Sequence, residues 1–278
     1  MEKLCTTAYS GGQMKRRVLT TIAVLMAMLF TDVCLAKGHV LIYTKNGKGY
    51  VHDNVAASVE CLKKICDANG WTYEATNSAA VFDSADKIKT FDVLVFSNSN
   101  NETFDTDTQK KVFQYYIRGG GGFVAIHSAC GSERNWPWFW ANLGGKFVRH
   151  PALQKFDIEV VDKTHPSTEH LPAIWNWEDE FYYMNELNPR VHILLAGDLR
   201  TLKDDQKDTY PGRVFGDYFP LCWSQEFDGG RQWYTALGHK IEYYKDPNFI
   251  KHLEGGLRWA MTKAPAKSQA EDAKQKEQ

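Results

Sequence analysis

The 278-residue sequence has almost no net charge, because 33 Lys and Arg face 34 Asp and Glu for a formal balance of -1. A nucleic-acid binder normally shows a basic excess or stripe, so this balance argues against that class. The chain also lacks an apolar run long enough to cross a membrane. Val18 to Phe30 is 13 residues, short of the roughly 20 that a spanning helix needs, and no stable membrane span is expected. There is no C-x-x-C, H-x-x-H or H-E-x-x-H, so no metal site declares itself by local spacing. Internal repeats and clear linkers are missing too, which favours one mature domain, and a chain of this length can bury a full core without a structural metal or disulfide.

What is present begins with an address. Lys15, Arg16 and Arg17 precede the apolar run, and Cys34, Leu35 and Ala36 follow it. Basic cluster, short apolar stretch and small residues predict a signal peptide over 1–36, cleaved after Ala36, and hence a periplasmic or secreted protein. Val33 is too large for a good residue before a lipidated Cys34, so plain secretion is expected. Whether translation starts at Met1 or Met14 is open. The mature chain keeps Cys61, Cys66, Cys130 and Cys222. Cys61 and Cys66 lie about 140° apart on a predicted helix and should not bridge each other; Cys66 continues an apolar stripe with Val55, Val59 and Leu62, which favours a buried free thiol.

From Val40 the pattern alternates. Short apolar strands are predicted at Val40–Tyr43, Trp71–Ala75, Val93–Phe96 and Phe123–Ile126. Between them lie a helix over 54–69 closed by Gly70, and another after Thr106 with Gln109 at capping-box spacing, closed by Gly119. Such alternation predicts an α/β fold, doubly wound around a mostly parallel sheet. Beyond about residue 150 the second half turns β-rich, with strands near Phe156–Val161, Val191–Leu195, Pro220–Phe227 and Gln232–Leu237. A last helix starting at Asp246-Pro247 sets Ile250, Leu253, Leu257 and Met261 on one face and leaves His252 on the exposed side. The domain is expected over 37–263, with a disordered tail over 264–278.

In an open parallel sheet, ligands bind at the carboxyl ends of strands. Gly119–Gly122 precede a strand rather than follow one, so they read as a helix cap and turn; no nucleotide cofactor is expected. That strand delivers His127 and Ser128 at its end. His150 before Pro151, His165 before Pro166, Glu178-Asp179-Glu180 and Gly238-His239 are further polar groups at element ends. His39 reads as uninvolved.

In this order and spacing, several segments together resemble the ThuA-like (trehalose utilisation protein) family, whose fold is similar to that of class I glutamine amidotransferases and, more broadly, flavodoxin. They are Gly121-Gly122-Phe-Val-Ala-Ile-His127-Ser-Ala129, Gly144-Gly145-Lys-Phe147-Val-Arg-His150-Pro151, His165-Pro166, Asp179-Glu180-Phe-Tyr182, Trp223 after Pro220, Gly230-Arg231 and Leu237-Gly238-His239. The resemblance covers about residues 38 to 262; Gln232 departs from it, where an apolar residue is usual. Glutaminases carry a nucleophilic Cys on the turn that His127 occupies here, and Cys130 comes three residues later, so glutaminase activity is not expected. Ser128 also lacks the G-x-S-x-G elbow.

The resemblance implies disaccharide metabolism on sugars oxidised to a ketone at carbon 3, by lyase, hydrolase or isomerase chemistry. Imidazoles suit the acid–base work that a ketone's acidic C–H invites. His127, Glu180, His239 and Tyr182 are the catalytic candidates. His52, His127, Glu180 and His239 offer N and O ligands for Zn or a similar divalent metal. His52, Trp138, His150, Trp223 and Arg231 are expected to contact the sugar, the indoles by stacking. The rival reading is a non-catalytic carbohydrate-binding protein with the same cleft. The sugar, the linkage, disulfide pairing and oligomeric state, a homo-oligomer included, stay open.

Overall fold

Val40–Tyr43, Val93–Phe96 and Phe123–Ile126 are buried along their whole length. A strand with no polar face must be covered on both sides, and these runs form the centre of a sheet that is. The computed structural model describes residues 38–209 and 215–262. The expected signal peptide with its cleavage site, and the tail over 264–278, lie outside the described residues.

Four strands open the sheet: β1 (His39–Tyr43), β2 (Thr72–Thr76), β3 (Val93–Ser97) and β4 (Gly122–Ile126). Later come β6 (Gln154–Val160), β7 (Ile174–Asp179), β9 (His192–Asp198), β10 (Tyr218–Phe227) and β11 (Gly230–Thr235), while β5 (Lys146–Arg149) and β8 (Tyr183–Asn185) form a separate two-stranded sheet. The nine-stranded order is β2-β1-β3-β4-β11-β10-β9-β6-β7. Neighbours from β2 to β11 run parallel, and those from β11 to β7 antiparallel. The parallel half has the 2-1-3-4-5 order of flavodoxin-like folds. The β-rich second half continues this sheet, so the whole is evenly mixed.

The helices are α1 (Val55–Asn69), the single turn α2 (Ala85–Ile88), α3 (Asp107–Arg118), α4 (Pro137–Leu143) and α5 (Pro247–Met261). α1 ends on Gly70 in the left-handed conformation, and α3 begins with the full Thr106–Gln109 capping box. Phe96 and Phe123 face Phe113 of α3 and Phe139 of α4. Trp233, one residue out of phase with them, meets Gly256 of α5 on the other face. All four cysteines of the described chain are buried free thiols.

One expectation is overturned on α5. His252 is fully buried, with Nδ1 donating to the Ser167 carbonyl at 2.8 Å and Nε2 accepting from Thr235 Oγ1 at 3.1 Å. The helix buries a broader face than its aliphatic residues mark, because Gly255 and Gly256 let it sink onto the sheet.

Candidate active site with a metal-capable cluster

The carboxyl ends of four of the five parallel strands supply one group each. His52 stands in the loop after β1, Asn100 after β3, His127 directly after β4 and His239 after β11. Glu180 follows β7 and Tyr182 precedes β8. The sheet itself therefore gathers residues that are up to 187 positions apart (239 minus 52).

His127 occupies the sharp turn between β4 and a single 3-10 turn over His127–Gly131, with φ at 52°. A left-handed backbone is uncommon for a residue with a Cβ, and it collects at functional turns where the surroundings enforce it. Its Nδ1 donates to the Ala236 carbonyl at 2.7 Å. A carbonyl only accepts, so Nε2 is left with its lone pair, the tautomer a metal-binding histidine takes. Around that atom stand His52 Nε2 at 3.2 Å, the Tyr182 hydroxyl at 3.0 Å and Glu180 Oε2 at 3.6 Å. His239 Nδ1 is 3.2 Å from the same carboxylate oxygen, and His150 Nδ1 is 3.5 Å from Oε1.

The ligand atoms of His52, His127, Glu180 and His239 lie within 4.8 Å of one another, and this group can hold a metal ion. Two observations fit it. Glu180 Oε2 and His239 Nδ1 are buried without a partner in hydrogen-bonding geometry despite their proximity, as atoms aimed at a common point would be. Atoms about 2.1 Å from one ion sit about 3.4 Å apart in tetrahedral geometry, and the His52–His127, Glu180–His239 and His127–Glu180 pairs stand at 3.2, 3.2 and 3.6 Å. Electrostatics points the same way. Burial lowers the His127 imidazole to about 3 and His52 to about 4, so both are neutral and keep a lone pair free for an ion. Burial would raise Glu180, but contact with His239 and the other imidazoles overcomes it and holds the carboxylate at about 2. The Glu180 contact raises His239 against its own partial burial. Tyr182 is pushed well up by burial and stays a neutral phenol.

Above the cluster opens a cavity of about 420 Å³, lined by His52, Ser128, Cys130, Glu180 and Tyr182 on its buried side and by Tyr50, Arg134, Phe147 and His150 towards solvent. Its size falls in the usual range for small-molecule sites. Cys130 borders it, yet burial pushes its thiol up to about 12, so it offers no thiolate nucleophile.

Three residues expected to touch a sugar lie elsewhere. Trp223 is fully buried on β10, its indole N–H bonded to the Leu143 carbonyl; Gly144, with φ at 103°, leaves the room for it. Trp138 donates to Asp228 in the β10–β11 turn and packs on Trp136. Arg231 is the second residue of β11, at the opposite end of that strand from His239, and stacks on Trp259. His165 is buried against Ser167, outside the cavity, and His39 bonds the Thr90 carbonyl at its strand start.

Asp179 was missed as a functional residue. Its fully buried carboxylate accepts from the N–H groups of Glu180, Gly238 and His239 and from the Trp177 indole. It thereby ties the Glu180 and His239 backbones together, although burial pushes its carboxyl up to about 6. The signal was there: Trp175, Trp177 and Asp179 alternate inward on β7.

Solved structures with this fold include ThuA-like proteins. One from Bacteroides uniformis ATCC 8492 shares 25% identity over 80% of this chain and 91% of its own, with a TM-score of 0.63. Another from Parabacteroides merdae ATCC 43184 shares 20% over 84% and 93%, at 0.64. A beta-galactosidase from Bacillus circulans sp. alkalophilus matches 81% of this chain with 30% of its own, at 11% identity and a TM-score of 0.50, a likeness of fold alone. No curated protein matches the sequence. A family model described as trehalose utilisation matches residues 39–260, nearly all of the described chain, and the protein belongs to the ThuA family.

Proposed function

We propose that the protein is an enzyme of disaccharide metabolism acting on glycosides oxidised to a ketone at carbon 3. The observation that carries this reading is the meeting of His52, His127, Glu180 and His239 beneath a cavity, in a member of a trehalose-utilisation family. A ketone at carbon 3 acidifies the C–H bond at carbon 2. Removing that proton gives an enolate, which expels the glycosidic oxygen from carbon 1; the oxygen takes up a proton and the sugar remains as an enone.

Each step needs a group that the cavity has. His150, on the cavity wall with Nδ1 donating to the Pro151 carbonyl, would accept the carbon-bound proton at Nε2 and pass it to solvent. Tyr182, a neutral phenol beside the imidazole of His127, is placed to give one to the leaving oxygen. His52, His127, Glu180 and His239 would hold a divalent ion such as zinc, which supplies a Lewis acid for the ketone oxygen when bound. The expected signal peptide would export the enzyme, and the mature chain recovered from an exporting host should then begin at Lys37 by mass spectrometry.

The direct test incubates the wild-type protein, supplemented with zinc, with 3-keto-trehalose and resolves the products by mass spectrometry. Release of glucose is expected, together with about one equivalent of divalent metal by elemental analysis. The variant His239→Ala should keep its circular dichroism spectrum and lose both. Unaltered 3-keto-trehalose with the metal-loaded wild type overturns the reading in favour of a carbohydrate-binding role.

A further inference from the structure

The cavity changes character with depth. Its buried side carries two members of the cluster, His52, only 7% exposed, and Glu180, with His127 fully buried behind them. Its outer side carries Tyr50, 65% exposed, with Arg134 and His150. Tyr50 and His52 meet in a T-shaped contact with ring centroids 4.8 Å apart, which sets the exposed ring directly beside the cluster. Its carbonyl accepts from the Asn100 side chain, which fixes the backbone and leaves the ring unpacked over the opening.

A single exposed aromatic is ordinary on a protein surface. Here it coincides with a cavity wall and with unspent hydrogen-bonding capacity. Arg134 has no carboxylate partner among the described residues; it bonds only the Gly131 carbonyl and Asn100 Oδ1, with its guanidinium over Phe147. An apolar ring face beside such donors matches a sugar ring, which offers C–H bonds on its faces and hydroxyls at its edge.

We infer that Tyr50, Arg134 and Asn100 form a subsite for the second ring of a two-ring glycoside, the leaving half, while the first ring lies over the cluster. The inference deepens the proposed function and rests on it for which ring reacts: it assigns the leaving ring to Tyr50 and Arg134 at the mouth of the cavity. Tyr50 supplies the face contact and the remaining N–H groups of Arg134 the hydroxyl contacts, while Asn100 holds both residues through the Tyr50 carbonyl and the Arg134 guanidinium.

The test compares wild type, Tyr50→Ala and Tyr50→Phe with two pairs of probes. With 3-keto-trehalose and 3-keto methyl α-glucoside, Tyr50→Ala should raise KM about five- to tenfold for the two-ring substrate only, with kcat within twofold; this corresponds to one aromatic stacking contact. Tyr50→Phe should behave as wild type. Binding of unoxidised trehalose and methyl α-glucoside, followed by saturation-transfer NMR, reads the subsite without any turnover. The wild type should prefer trehalose, and Tyr50→Ala should lose that preference. No turnover with the binding preference present defeats the enzymatic reading alone. An equal preference in wild type and Tyr50→Ala, or no sugar binding at all, overturns the subsite.

Discussion

Single residues decide how the site is held. Asp179 Oδ1 receives the Glu180 and His239 N–H groups, and Oδ2 receives Gly238 and the Trp177 indole. Replacing one oxygen by an amide turns two of these contacts donor against donor in a buried place. Asp179→Asn is therefore expected to lower unfolding free energy by roughly 2–4 kcal/mol, the scale of buried unsatisfied donors. Urea denaturation measures it, and a variant as stable as wild type would show that these contacts do not hold the site. Loss of zinc affinity by about 10–100-fold in the same variant would mark the positioning effect. His127, Glu180 and His239 were legible in the sequence as polar groups at element ends, whereas His52 came in only as a candidate ligand once the family resemblance was drawn. Trp223 and Trp138 were misread for the opposite reason. An indole serves a core and a sugar equally well, and nothing local tells which face of β10 is covered when both are.

At the scale of elements, the parallel half was readable because its strands are short, apolar and separated by well-capped helices. The second half of the chain gave weaker signals: β5, in the separate two-stranded sheet, is short and half-exposed, and β7 sets its alternation inside a tryptophan-rich, acidic run. α5 teaches most. Two adjacent glycines inside a helix cost about 1 kcal/mol each against alanine, so propensity alone makes Gly255→Ala stabilising. The contacts reverse the sign. A Cβ on Gly255 would stand 2.2 Å from the Pro166 carbonyl oxygen, and one on Gly256 2.5 Å from the Trp233 ring. The His165-Pro166 segment is thus a floor for the helix, and the glycines set its depth. Gly255→Ala is expected to destabilise by about 1–3 kcal/mol, the cost of overpacking, with a lower melting temperature as the readout. A higher one would mean that the helix shifts outward freely.

For the whole molecule, the buried imidazoles govern how it meets acid. His252, away from the cavity, is lowered to about 3 by burial, with nearby His170 and His165 adding to the effect. The unfolded chain would titrate it near 6.5. Between those values the unfolded state binds a proton that the folded state refuses, so stability falls as pH drops from about 6.5 towards 3. The slope from this one group is at most about 1.4 kcal/mol per pH unit. His165, lowered to about 4 by burial, acts in the same direction. Glutamine can repeat both contacts of His252, donating to the Ser167 carbonyl and accepting from Thr235 Oγ1, and it does not titrate. His252→Gln should therefore be less stable than wild type at pH 7.5, because an amide packs less well between Trp233 and Phe249. Its stability should decline less steeply below pH 6.5, so the two curves converge and then cross. Urea unfolding at intervals from pH 7.5 to 4.5 gives both curves under the same conditions, and the difference between them isolates His252 from every other titrating group. Parallel curves across that interval would mean that His252 takes up its proton alike in the folded and unfolded chains.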